Sequence, residues 1–143
     1  LIKLTQIIPA TDSTAIWMRV STDGGATYDS GNNYDWATFR FAFNGNAGTG
    51  EQAGSKIVLT AGETQSNSAN WGLTGDVTLT GPASAIFKRV GIVNLTMLNT
   101  SSAQVVAIGG GAYLSATAVN AFQILSSSGN ITSGTGRCYG VAK

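Results

Sequence analysis

Seven carboxylates, eight basic side chains, one cysteine and no histidine make up almost all the titratable chemistry of these 143 residues. Acid–base and nucleophilic catalysis at neutral pH draws chiefly on histidine, an activated cysteine or paired carboxylates. No two carboxylates here stand closer than six positions in the chain. A glycosidase needs two acids facing each other roughly 5–10 Å apart. Among Asp23, Asp35, Glu51 and Glu63 such a pair would have to be assembled by folding. The composition therefore points away from an enzyme. It offers no cofactor motif either. Gly109-Gly110-Gly111 lacks the Gly-Lys-Ser/Thr of a phosphate loop and reads as a strand end or a bulge at a tight corner.

Asp12, Asp23, Asp29 and Asp35 fall in or beside the first two loops and are the candidates for a calcium site. Calcium takes roughly six to eight oxygen ligands, and the spacing is not that of an EF-hand. They read as solvated turn residues, with no metal expected. Six aromatics are the candidates for contact with a ligand or partner: Trp17, Tyr28, Tyr34, Trp36, Trp71 and Tyr113. Such side chains fill protein interfaces or stack on sugars when exposed. Cys138 has no second cysteine to pair with and reads as a small core residue. The segment from Ser21 to Tyr28 follows the pattern S-x-D-x-G-x-x-aromatic and resembles the Asp-box hairpin of sialidases. In that family the box is a folding device: the carboxylate gathers backbone N–H groups, and glycines allow positive φ.

The elements that must hold these residues are strands. Residues 15–21 alternate, with Ile16, Met18 and Val20 on one side. Residues 36–43 alternate too, and Phe39, Phe41 and Phe43 on one side predict a core face, with Trp36 opposite. Strands are expected at residues 1–8, 56–60, 75–81, 105–108, 118–125 and 136–142, with a long one at 87–98; a short helix is the alternative at 118–125, where β-branched residues and flanking Ser/Gly favour strand. A change of apolar parity within 87–98 predicts a β-bulge near Gly91. Residues 23–33, 44–54 and 61–72 read as polar loops. The predicted fold is all-β: an antiparallel β-sandwich, jelly-roll-like, of eight to ten strands.

The length suits one domain over residues 1–143. Leu1 already lies in strand-like sequence, so the chain is expected to be the C-terminal part of a longer polypeptide. With a net charge of +1 and no basic stripe, neither nucleic-acid binding nor membrane insertion is expected. A small, nearly uncharged domain favours self-association.

Residues 7–12 (IIPATD), 20–28 (VSTDGGATY) and 128–143 resemble stretches of bacteriophage tail-fibre and virion-surface proteins. The better marker is the ending Gly134-Thr135-Gly136-Arg137-Cys138-Tyr139-Gly140, of the form G-T-x-R-x-Y-G. The resemblance implies a non-enzymatic module on the virion surface. It would be a homo-oligomer, with a trimer favoured, and would touch other virion proteins or a host surface glycan through loops 23–35, 44–54 and 61–72. A capsid-decorating or filament-forming structural protein is the rival reading, and a carbohydrate-active enzyme the third.

Overall fold

A computed structural model describes residues 1–86 and 88–140, apart from the side chains of Ile92 and Val93. The expected strand residues Phe87, Val141 and Ala142 thus lie outside the described residues. Ten strands follow one another without a helix among the described residues: β1 (Ile2–Pro9), β2 (Ile16–Ser21), β3 (Tyr34–Ala42), β4 (Ala47–Gly54), β5 (Ile57–Val58), β6 (Leu73–Thr80), β7 (Lys88–Leu98), β8 (Gln104–Tyr113), β9 (Ala121–Ser126) and β10 (Ile131–Cys138). They form a seven-stranded sheet, in the order β10-β1-β6-β7-β8-β3-β4, and a three-stranded sheet, in the order β5-β2-β9. Every pairing is antiparallel. The pairs β1·β10, β2·β9 and β3·β8 are nested. A chain folded back on itself and then wrapped across two sheets gives that nesting, so the molecule is an antiparallel, jelly-roll-like β-sandwich.

The core forms where the two sheets face each other. Ile16, Met18 and Val20 are fully buried, as their alternation on β2 predicts. Leu73, Val77, Val90, Leu95, Met97 and Val105 meet them from the larger sheet. The predicted parity slip in β7 is real. Its pairing with β8 shifts between Ile92 and Leu95, and Asn94 takes a φ of +53°. The bulge lies slightly beyond Gly91 and returns Leu95 and Met97 to the inner face.

Strand β3 turns the opposite side inward from the one its phenylalanines predict. Tyr34, Trp36 and Thr38 are buried, while Phe39, Phe41 and Phe43 are 39%, 47% and 98% exposed. Both sides of this strand are apolar, so alternation alone does not choose between them. The choice is made across the sheet. Trp36 pairs with Gly111, whose missing side chain leaves room that Ile57 also occupies, because a Cβ on Gly111 would lie 3.0 Å from that isoleucine. Tyr34 has hydrogen-bond partners waiting inside, which a phenylalanine could not use.

Four further expectations change for related reasons. Residues 44–54 are not a loop throughout: 47–54 form β4, an edge strand whose residues 48–53 are all exposed, so it needs no apolar alternation. Gly109-Gly110-Gly111 is not a corner but the middle of β8. A Cβ on Gly110 would lie 2.8 Å from the Val90 carbonyl oxygen and one on Gly111 2.7 Å from that of Asp35, so neighbouring backbones exclude side chains there. Residues 61–72 do not stand free, because Gln65 is fully buried and bridges Thr14 and Asn99. Cys138 is exposed. It pairs with buried Ile2 and so points to the inner side, but β10 is the outermost strand and its last seven residues are all exposed.

The orientation of β3 sets a test. Trp36→Ala is expected to cost about 3–5 kcal/mol, as for other buried aromatics. Phe39→Ala should cost about 1 kcal/mol or less. Urea unfolding midpoints at unchanged slope measure both, and equal losses would contradict the inward side assigned here.

Candidate functional site

All seven carboxylates are engaged by the chain's own donors. Asp12 accepts a hydrogen bond from Asn67 N–H, and Asp35 one from Ala53 N–H. Asp76 pairs with Lys3 at 3.1 Å. Glu51 accepts from Trp36 Nε1 and from Lys56 Nζ. Glu63 is ion-paired with Arg40 and accepts from Asn99 Nδ2.

Asp23 and Asp29 are the most heavily used. The Asp23 carboxylate takes hydrogen bonds from the hydroxyls of Ser21 and Thr27 and from Thr27 N–H, at 2.6–2.9 Å. Ser21 Oγ in turn accepts from Gly25 N–H, and Gly24 and Gly25 both have positive φ. The Asp-box pattern thus acts as the turn device that it resembles. The Ser21 and Thr27 hydrogen bonds hold the Asp23 carboxyl far below the ordinary range. Asp29 accepts from Tyr113 Oη at 2.7 Å, from Gly31 N–H and from Asn33 Nδ2. Burial pushes its carboxyl up, but these donors outweigh burial and the net displacement is downward.

The six aromatic candidates do not form one surface. Tyr34 and Tyr113 are buried core residues, 0% and 3% exposed, with ring centroids 5.2 Å apart. They are thereby withdrawn from any ligand. Trp36 is buried as well, on the same inner side of β3 as Tyr34. Burial raises both tyrosine hydroxyls to about 12, helped for Tyr113 by the negative charge of Asp29. Trp17, Tyr28 and Trp71 are half-buried at separate places, and Lys56 Nζ sits 5.1 Å from the centre of the Trp17 ring.

The four candidate calcium aspartates are likewise dispersed, each tied to a different stretch of backbone. Among the described residues no group of three or more Asp, Glu or Cys side chains is arranged to hold a metal ion. Of the four rival catalytic carboxylates, Asp35 and Glu51 line one shallow depression of about 330 Å³ with Gln52 and Arg89. Asp23 and Glu63 do not belong to it. A larger and mainly apolar cleft of about 900 Å³ opens between the sheets, beside Ile2, Leu79, Pro82, Phe122 and Tyr139.

Sequence reasoning passed over two features. Lys88 is fully buried, and its Nζ donates to the Ser115 carbonyl oxygen at 3.0 Å. Phe39, Phe41 and Ile108 form an exposed apolar group on the outer face of the larger sheet. The Lys-Arg pair at 88–89 carries no signal for a buried amine. The phenylalanines carried the opposite signal.

Comparison with known proteins finds no matching family model, no matching curated protein and no matching solved structure.

The titrating groups predict how stability follows pH. Asp23 and Asp29 are depressed in the folded chain, so their contribution is complete above the unfolded value near 4 and is lost as pH falls below it. Tyr34 and Tyr113 are raised to about 12, so their contribution is complete below about 10 and is lost as pH climbs from there. Urea midpoints measured against pH should therefore fall at both ends. Tyr113→Phe should flatten the alkaline fall while lowering stability at neutral pH, because Asp29 loses a donor.

Proposed function

We propose that this chain is a non-enzymatic contact module of a bacteriophage virion surface, acting in several copies as part of a tail fibre or receptor-binding assembly. One observation carries the reading: every carboxylate is taken up by a structural partner, while Phe39, Phe41 and Ile108 stand exposed on the outer sheet face. Groups already accepting two or three hydrogen bonds serve as fixed acceptors and turn anchors. An exposed aromatic face serves association. The sequence likeness at residues 7–12, 20–28 and 128–143 supplies the virion setting, and a jelly-roll-like sandwich suits it, since such folds occur in capsid and lectin domains. Multiple weak contacts from linked copies gain avidity without new contacts.

The geometry narrows which loops would meet a host surface. The 23–33 connection keeps its polar tip in solvent, whereas 61–72 is anchored through Gln65 and part of 44–54 is strand. Recognition is thus assigned chiefly to the first of these.

The uncovered face also favours the structural alternative, a capsid-decorating or filament-forming protein, in which subunit contact is itself the role. The hydrolase reading has only the shared depression of Asp35 and Glu51 in its favour. Both of those carboxylates accept from N–H donors, which suits neither a proton-giving acid nor a free nucleophile.

Three measurements decide among these roles. Labelled protein, presented multivalently, is expected to bind host cells or a host polysaccharide array, and to lose binding when Ser30 and Asn32, both exposed in that loop, are changed together. Binding absent across both assays, with open-ended assembly seen by light scattering, would favour the structural alternative. Glycan turnover abolished by Glu51→Gln would overturn the non-enzymatic reading.

A further inference from the structure

The outer face of the seven-stranded sheet has a relief that repeats across strands. Phe39 on β3 and Ile108 on β8 are register partners, 39% and 38% exposed. Phe41 leans on Phe39 with ring centroids 4.9 Å apart. Together they make a ridge. Immediately beside it lies a row of small residues, in register from strand to strand: Gly50 on β4, Ala37 on β3, Gly110 on β8, Gly91 on β7 and Thr78 on β6. Ala37 faces outward between inward Trp36 and Thr38, and register partners in a ladder share its face. The row is concave: its Ala37–Gly110 stretch forms part of the depression of about 330 Å³ described above.

We infer that a second copy of this chain packs face to face on this surface about a two-fold axis, the ridge of each copy seated in the small-residue row of the other. Ridge and row are adjacent and parallel. A two-fold axis lying between them in the plane of contact exchanges one for the other, which is the condition for an isologous interface. Packed sheets approach to about 10 Å. Opposed faces reach that separation by interdigitating their side chains, and this face carries bulky and small ones side by side.

The size also fits. Seven strands about 4.8 Å apart and some eight residues long offer roughly 900 Å², and a stable interface takes about 800 Å² from each partner. The apolar contact is the ridge on β3 and β8; Asp35 and Arg89 line the depression beside the row, and the Lys3–Asp76 pair lies beyond β7, on β1 and β6. With a net charge of +1, two copies barely repel each other. A dyad here differs from the three-fold arrangement that the phage likeness implies. It does not depend on the virion reading, whose host-binding loop lies elsewhere.

The full chain is expected to run as a dimer that dissociates on dilution in size-exclusion chromatography with light scattering. Phe39→Arg removes the ridge, and Ala37→Arg fills the row without removing any apolar side chain. Each should weaken dimerisation roughly tenfold or more, as for a hot-spot contact, with circular dichroism unchanged and melting unchanged at dilutions where the parent is itself monomeric. Should Phe39→Arg unfold, Ile108→Lys tests the same ridge from the neighbouring strand. A chain that stays monomeric at every concentration overturns the inference. So does an oligomer that none of these changes weakens, or one that ridge changes weaken while Ala37→Arg does not.

Discussion

The Tyr34 hydroxyl on β3 accepts a hydrogen bond from Val20 N–H in the three-stranded sheet and donates one to the Asp29 carbonyl oxygen. Asp29 N–H in turn donates to the Val20 carbonyl oxygen, and its carboxylate accepts from Tyr113 on β8. One buried phenol thereby ties both sheets and the loop between β2 and β3 into a single network. Buried polar groups are costly unless satisfied, and satisfied ones specify a unique arrangement. Turning β3 over would put Phe39 and Phe41 inside and strand the Tyr34 hydroxyl outside, leaving Val20 N–H without that acceptor. Because side chains on a strand alternate strictly, nothing intermediate is available.

From that one orientation the character of the outer surface follows. With Tyr34, Trp36 and Thr38 inward, Ala37, Phe39 and Phe41 must face out, and the ladder carries the pattern to Gly110 and Ile108 on β8. The same inward Trp36 brings its indole N–H to Glu51 on β4, which occupies one of the few acids the chain has. The aspartates of the first loop are occupied by the turn they build. The interior thus determines both what the chain withholds, free carboxylates, and what it presents, an aromatic face.

Much of this architecture was legible in the sequence. Two-residue periodicity gave β2 its correct inner side, because Arg19 and Ser21 contrast sharply with Ile16, Met18 and Val20. The parity slip in β7 announced its bulge. The Asp23 turn was readable because its hydrogen bonds are local, within seven residues. The inner side of β3 was not, since both its faces are apolar and the deciding partners, Val20 and Gly111, lie on other strands. Strand β4 was illegible for another reason: an edge strand held by backbone pairing and by polar bonds such as Trp36 Nε1 to Glu51 needs no apolar signature. Cys138 failed through a geometric cause, pointing inward from a strand that the smaller sheet does not cover. Lys88 had no local mark, as its acceptor lies 27 residues away.

The two edges of the large sheet explain why association should go through a face. An open sheet edge is a template for another strand and is blunted in natural proteins by charge, irregularity and lack of apolar side chains. Strand β4, reading Ala-Gly-Thr-Gly-Glu-Gln-Ala-Gly, carries Glu51 and a residue at positive φ, Ala53. Strand β10, reading Ile-Thr-Ser-Gly-Thr-Gly-Arg-Cys, carries Arg137, and its pairing with β1 slips twice. Neither offers the regular apolar alternation that a second strand would need to hold its register. The face between them carries its exposed apolar group, Phe39, Phe41 and Ile108, on β3 and β8, the strands locked by the Tyr34 network. A chain with so few charges cannot rely on net repulsion to stay specific. It can do so by guarding its edges and leaving one shaped surface for contact.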